Sequence, residues 1–199
     1  MKQWMSRTLL RLLGWKIEGE KPLHHKYVLI AAPHTSNWDF PLMILFAWAF
    51  GIRISWMGKK SLLWPPLGWI MRALGGIPIQ RKTSNNMVDS MIDAFEELSE
   101  LVLVVPTEGT RARVEHWKSG FYHIARGAQV PIVPSYLDYG QMRGGFGPAL
   151  PMSGDVKRDM QLLRGFYAPM KGKFPELFGP VRLREEDAPE AGAKRAAAS

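Results

Sequence analysis

The sequence predicts a single α/β domain with a mixed, largely parallel sheet flanked by helices. Three observations carry this. Short apolar runs, Tyr27–Ala32, Leu101–Val105 and Val130–Tyr136, alternate with longer helix-like segments, the pattern of successive strand–helix–strand units. Leu101–Val105 is aliphatic throughout, as expected of a strand covered on both faces. The chain has 199 residues, enough for one domain with its own core and short for two.

Residues 1–16 contain Lys2, Arg7, Arg11 and Lys16 without an acid, and Met5, Leu9, Leu12 and Leu13 recur at helical spacing. This is a basic amphipathic helix. Its arginines interrupt the apolar stretch that a signal peptide needs. On a wheel turning about 100° per residue, Trp4 and Trp15 come within about 20° of each other beside the leucines. The helix is therefore assigned to an anionic lipid surface, with packing against the domain as the alternative. The polar stretch Gly19–Lys26 follows, and the adjacent His24 and His25 read as surface residues rather than as a metal site.

The strand Tyr27–Ala32 stops at Pro33, which lacks an N–H, and Pro41 suits the first turn of a helix opened by Asp39. Phe40–Ile52 is an uncharged run of 13 residues. Crossing a bilayer takes about 20, so this is a buried or interfacial helix and no transmembrane segment is expected. A short strand over Ile54–Met57 precedes a helix entered at Pro65 and Pro66, running through Leu74 and ended by Gly75-Gly76. Pro78 makes Ile77–Gln80 an edge strand, with Arg81 at its exit.

Asn86–Glu100 is amphipathic, with Met87, Met91, Ala94, Phe95 and Leu98 on one face, as core filler. Trp117–Ala128 is read as a helix, the glycine-rich Gly140–Gly154 as a loop or hairpin, and Asp155–Met170 as a helix. The organisation expected is a membrane-associating helix at 1–18, the main domain at 19–180 and a flexible tail at 181–199.

Net charge is +8, and residues 181–199 hold four basic and four acidic side chains. The excess therefore belongs to residues 1–180. An anionic partner follows: nucleic acid, an anionic membrane, a phosphorylated small molecule or an acidic carrier protein. Seven of the eight tryptophans lie within the first 69 positions among lysines and arginines, a mixture that suits a membrane interface. The absence of cysteine excludes a disulfide framework, thiolate zinc sites and a cysteine nucleophile, and fits a reducing compartment.

Chemistry concentrates where strands end. His34 and Asp39 are separated by four residues at adjoining ends of a strand and a helix. The carboxylate can thus accept from one ring nitrogen while the other takes a proton from a hydroxyl. The plain alternative is a helix-capping Asp39 and a loop His34. Glu108-Gly109-Thr110-Arg111 repeats the arrangement after Leu101–Val105. Ligands of open α/β sheets collect at the carboxyl ends of strands, so both groups are expected to face one cleft. Gly109 permits close backbone approach and Arg111 suits a phosphate; a turn with a Glu–Arg surface pair is the alternative.

The sequence resembles the glycerolipid acyltransferases typified by 1-acylglycerol-3-phosphate acyltransferase. The family's histidine and aspartate with four residues between them are matched by His34 and Asp39, with Ser36 in the usual place for serine. Its glycine-led strand ending in arginine is matched by Gly76–Arg81, its Glu-Gly-Thr-Arg by Glu108–Arg111, and its Val-Pro-x-x-Pro strand by Val130–Pro134. Two departures stand out: Pro33 replaces the asparagine that often precedes the histidine, and Pro106-Thr107 replaces Phe-Pro before the glutamate. The likeness fades after about Asp138.

The resemblance implies a glycerol-3-phosphate acyltransferase-like fold and O-acyl transfer from a thioester without an acyl-enzyme. His34 would be the general base and Asp39 would orient it. Arg81 and Arg111 would hold the acceptor's phosphate, Glu108 would position Arg111 or a glycerol hydroxyl, and Gly109 and Thr110 would line the substrate site. Lys59, Lys60 and Lys118 are read as a solvated face. No metal or cofactor is expected beyond acyl-CoA or acyl carrier protein as co-substrate. The lysophospholipid acceptor and the membrane surface are the expected partners, nucleic acid is not, and the expected location is cytoplasmic, peripheral on the inner face of the membrane. A lyso-aminolipid or other acceptor, a hydrolase and a non-enzymatic lipid-binding module are the alternatives.

Overall fold

The aliphatic runs do form strands, and the alternation along each strand sorts its side chains into two cores. The structure, a computed structural model, describes residues 1–59, 64, 66–79 and 84–187. Its elements are α1 (Lys2–Leu12), β1 (Lys16–Glu18), β2 (Lys26–Ala31), α2 (Asp39–Phe50), β3 (Ser55–Lys59), α3 (Leu67–Ala73), β4 (Gly76–Ile79), α4 (Ser84–Glu97), β5 (Leu101–Val105), α5 (Gly120–Gly127), β6 (Ile132–Asp138), β7 (Arg143–Phe146) and α6 (Val156–Tyr167). Two 3-10 turns follow, at Pro175–Leu177 and Arg184–Asp187.

The strands make one sheet in the order β1-β7-β6-β2-β5-β3-β4. Strands β6, β2, β5, β3 and β4 run parallel. The glycine-rich stretch is a hairpin: β7 turns back antiparallel to β6, and β1 joins it in parallel. The sheet is thus mixed and largely parallel, with the proline-bearing β4 at one edge as expected.

Successive residues of a strand point to opposite faces. Val28 and Ile30 of β2, with Leu101, Leu103 and Val105 of β5, pack under α4, α5 and α6. Tyr27 and Leu29, with Val102 and Val104, pack under α2. Helix α1 lies on α2: Leu10 is buried, and the Arg7 Nε donates to the carbonyl of Ala49 at 3.0 Å.

Several boundaries differ from those read in the sequence. Helix α1 stops at Leu12, and Gly14 turns the chain with φ +80°. Trp15 therefore leaves the helix and is buried against Phe46 and Tyr139 instead of sharing a lipid-facing stripe with Trp4. Residues 16–18, expected to belong to the membrane-associating segment, are the sheet strand β1. Trp117 does not begin a helix; its N–H donates to the Arg182 carbonyl at 2.8 Å and α5 starts three residues later. Residues 181–187 are packed rather than trailing, since Leu183 is fully buried and bridges to Trp117. The remainder of the expected tail, 188–199, lies outside the described residues.

Candidate active site

Three neighbouring parallel strands deliver the site. In register, Ile30 of β2 stands beside Val105 of β5, and Ala31 stands beside Ser135 of β6. The segments leaving β2, β5 and β6 therefore emerge at one edge, and they carry His34, Glu108 and Tyr139.

The loop after β2 folds back as its length permits. The His34 Nδ1 lies 3.2 Å from the Asp39 Oδ2. That oxygen also accepts the Ser36 N–H at 2.9 Å, while Oδ1 accepts the Tyr139 hydroxyl at 2.8 Å. Asp39 is the first residue of α2, so its carboxylate also benefits from the positive end of the helix. It is buried, 5% exposed. Both of its oxygens are committed, which fixes the plane of the carboxylate and with it the imidazole. With Nδ1–H donated to Asp39, the tautomer this geometry assigns leaves Nε2 free to accept a proton. Asp39 is therefore more than a cap.

Glu108 meets the His34 loop, as the shared strand edge leads one to expect, but through the backbone. Its Oε2 accepts the His34 backbone N–H at 3.2 Å, and its Oε1 has no partner among the described residues. A surface pair with Arg111 is excluded by this arrangement, because Glu108 is only 1% exposed while Arg111 is exposed. Burial, together with the nearby charge of Asp39, pushes the Glu108 carboxyl up to about 7 against the lowering effect of the His34 N–H. Glu108 thus ties the loop after β5 to the backbone of His34.

Gly109 adopts φ +68°, and a Cβ there would meet the Lys118 Cγ at 3.2 Å; a positive φ with a crowded side is where glycine is needed. Thr110 is exposed, and its hydroxyl accepts the Ala112 N–H at 3.3 Å, which shapes the turn. Lys118 is exposed. Arg81 and Lys60 lie outside the described residues, as does the side chain of Lys59.

His34, Asp39 and Arg111 line the wall of a cavity of about 460 Å³ that runs between the sheet and α2. Asn37 and Ser135 also reach it, and the rest of its lining is mostly apolar, including Met43, Phe46, Ala47, Trp56, Val104 and Leu137. A volume within about 300–1,000 Å³ with a few polar groups at one place is usual for ligand pockets. The sequence located the polar residues here but not the apolar chamber, because α2 reads as a uniformly hydrophobic helix with no sign of which residues leave space.

The model of the acyltransferase family matches residues 14–138, which include all four motifs. This chain belongs to the acyltransferase family. The 1-acyl-sn-glycerol-3-phosphate acyltransferase of Haemophilus influenzae is 30% identical over 141 residues, 66% of this chain and 57% of that protein. Its counterpart from Limnanthes alba is 32% identical over 133 residues, 63% of this chain and 46% of that protein. The chain thus spans about half the length of the curated relatives it matches. The fold is shared with the crystal structure of the 1-acyl-sn-glycerophosphate (LPA) acyltransferase from Thermotoga maritima, at a TM-score of 0.58 and 16% identity, over 84% of this chain and 77% of that one. Within the family match, the His34–Asp39 contact and the Glu108 bond to it join the first and third motifs directly.

Proposed function

We propose that this protein is an O-acyltransferase that moves a fatty acyl group from a thioester, acyl-CoA or acyl carrier protein, to the free hydroxyl of a lysophospholipid. The acceptor we favour is 1-acylglycerol-3-phosphate, giving phosphatidic acid. The observation that carries this reading is the oriented His34–Asp39 pair at the wall of a mostly apolar chamber of about 460 Å³: a base beside a place for a hydrocarbon chain.

In this mechanism His34 Nε2 takes the proton of the acceptor hydroxyl, and the oxygen attacks the thioester carbonyl carbon. The C–O bond forms, the C–S bond breaks, and the imidazolium returns its proton to the departing thiolate. Asp39 holds the ring and stabilises its charged form. Arg111, exposed at the same cavity, is suited to the acceptor's phosphate, and Arg81 is proposed to assist. The names of the relatives support the acceptor class.

A peripheral position on an anionic membrane fits the surface. Helices α1 and α3 lie on the cavity's side of the sheet, since Leu10 and Met71 join the α2-side core. They expose Trp4 at 72%, Leu12 at 80% and Trp69 at 69% beside Lys2, Arg11 and Arg72. Apolar side chains mixed with cations are what an interfacial helix needs. Among the described residues no helix is long and apolar enough to cross a membrane.

The test is product formation by purified protein on anionic vesicles with labelled lysophosphatidic acid and each donor, His34→Ala in parallel. Labelled phosphatidic acid from wild type, reduced about 10³-fold or more in a folded His34→Ala protein, is the expected result. Free fatty acid without phosphatidic acid would make the protein a hydrolase, and vesicle binding without either product would make it a lipid-binding module.

A further inference from the structure

The second oxygen of Asp39 is held by a residue just outside the family match. Tyr139 is the first residue after β6 and lies one position beyond the matched residues 14–138. Its hydroxyl donates to the Asp39 Oδ1 at 2.8 Å, opposite the oxygen that faces His34. We infer that Tyr139 is a positioning residue that fixes the Asp39 carboxylate so that His34 keeps Nδ1 protonated and presents Nε2 to the acceptor hydroxyl. This rests on the acyl-transfer reading for its catalytic consequence.

The surroundings of Tyr139 are built to hold it in place. Asp138, fully buried, accepts from the Arg143 Nε at 2.9 Å, the Gly140 N–H at 3.1 Å and the Lys171 N–H at 3.2 Å. The Tyr139 N–H donates back to the Lys171 carbonyl at 2.9 Å. The buried Trp15 presents its ring edge-on, 5.0 Å from the Tyr139 ring centre. The strap that begins at Lys171 then reaches the catalytic loop itself, where the Phe174 N–H donates to the Thr35 Oγ1 at 3.2 Å. A Cβ at Gly172 would stand 2.6 Å from that hydroxyl and 3.1 Å from the Pro33 Cβ, so the strap is seated closely on the loop. The C-terminal third carries no family motif, yet it clamps the phenol against one side of the dyad.

The arrangement has a logic of its own. A carboxylate with one free oxygen can rotate, and the imidazole can then follow it or exchange tautomers. A phenol on Oδ1 and the Ser36 N–H on Oδ2 remove that freedom before substrate arrives, which is how preorganised sites raise kcat.

Tyr139→Phe keeps the ring against Trp15 and removes only the donor. With histidine labelled with ¹⁵N, the His34 spectrum reports the tautomer without any substrate. In wild type the Nδ1–H form should dominate; in Tyr139→Phe it should become a mixture, with kcat down about tenfold or more and KM nearly unchanged. Trp15→Phe, which keeps the hydroxyl but trims the wall behind it, should lie between the two and serves as the second variant if Tyr139→Phe fails to fold. An unchanged tautomer in Tyr139→Phe, or a kcat within about twofold of wild type, would overturn the assignment. Should wild type itself make no phosphatidic acid, the proposed acceptor fails while the tautomer spectra still decide the role of Tyr139.

Discussion

The two faces of the sheet each bury an aspartate under a tyrosine hydroxyl, and the two aspartates are used differently. On the α5–α6 face, Asp159 accepts from the Tyr122 hydroxyl at 2.8 Å, the Ser153 hydroxyl at 2.8 Å and the Ser153 N–H at 2.9 Å. Burial alone would raise this carboxyl, but the bonds from Ser153 and Tyr122 outweigh it and hold it below its ordinary value. On that face Phe121, Ile124, Met160 and Leu163 are buried in one core. On the α2 face, Asp39 accepts from Tyr139, from Ser36 and from a titratable partner, His34, which opens onto the 460 Å³ chamber. Nearly the same donors leave one carboxylate in a closed structural knot and the other against an imidazole, His34. What separates them is that the last partner of Asp39 keeps a ring nitrogen able to take up a proton and borders a cavity.

Replacing each aspartate by asparagine should break the comparison most sharply. Asp39→Asn leaves shape and volume but favours the wrong imidazole tautomer, so kcat should fall about 10³–10⁴-fold, with a smaller change in thermal midpoint. Asp159→Asn should do the reverse, costing about 2–3 kcal/mol of stability through mispaired buried donors while kcat per folded molecule stays near wild type. Thermal unfolding and kcat measured on both variants check this, and equal losses of activity would abolish the distinction.

A smaller and pH-dependent effect is expected at Glu108. Its folded carboxyl sits near 7, above its ordinary value of 4.5. The folded state therefore binds the proton more tightly than the unfolded state, and wild type loses stability as pH rises from about 4.5 through about 7. That is worth roughly 3 kcal/mol. Asp159, held low, works in the opposite sense: its contribution is present at neutral pH and is lost on acidification. Glu108→Gln should gain on wild type between pH 5 and pH 8 in thermal midpoint, and parallel curves for the two proteins would contradict the assignment.

Much of this molecule was legible before its structure. The parallel core strands, the edge strand with Pro78 and the convergence of His34, Asp39 and the Glu108 loop all follow from apolar runs and from where charged residues interrupt them. Other features left no local trace. The three residues of β1, Lys-Ile-Glu, are held by pairing with β7 and not by their own apolarity. Trp15 looked interfacial because a wheel assumes the helix continues, and Gly14 ends that assumption. For Glu108 the sequence offers Arg111 or a glycerol hydroxyl as partners, and nothing local points to the bond it makes with the His34 N–H, 74 residues away. Tyr139 belongs to no motif, although chemistry at the carboxyl end of a buried strand, which marks His34 and Glu108, applies equally to β6.

The central claim is that the acyl chain lies in the α2-side chamber with its thioester against His34. It is tested most directly by photolabelling the His34→Ala protein with an acyl thioester that carries a diazirine near its methyl end, followed by mapping of the labelled residues. The account predicts labels on the chamber wall, at Met43, Phe46, Ala47 and Trp56, and protection when unlabelled acyl thioester is added. Labels confined to the outer surface, or to α5 and α6 on the opposite face, would contradict it.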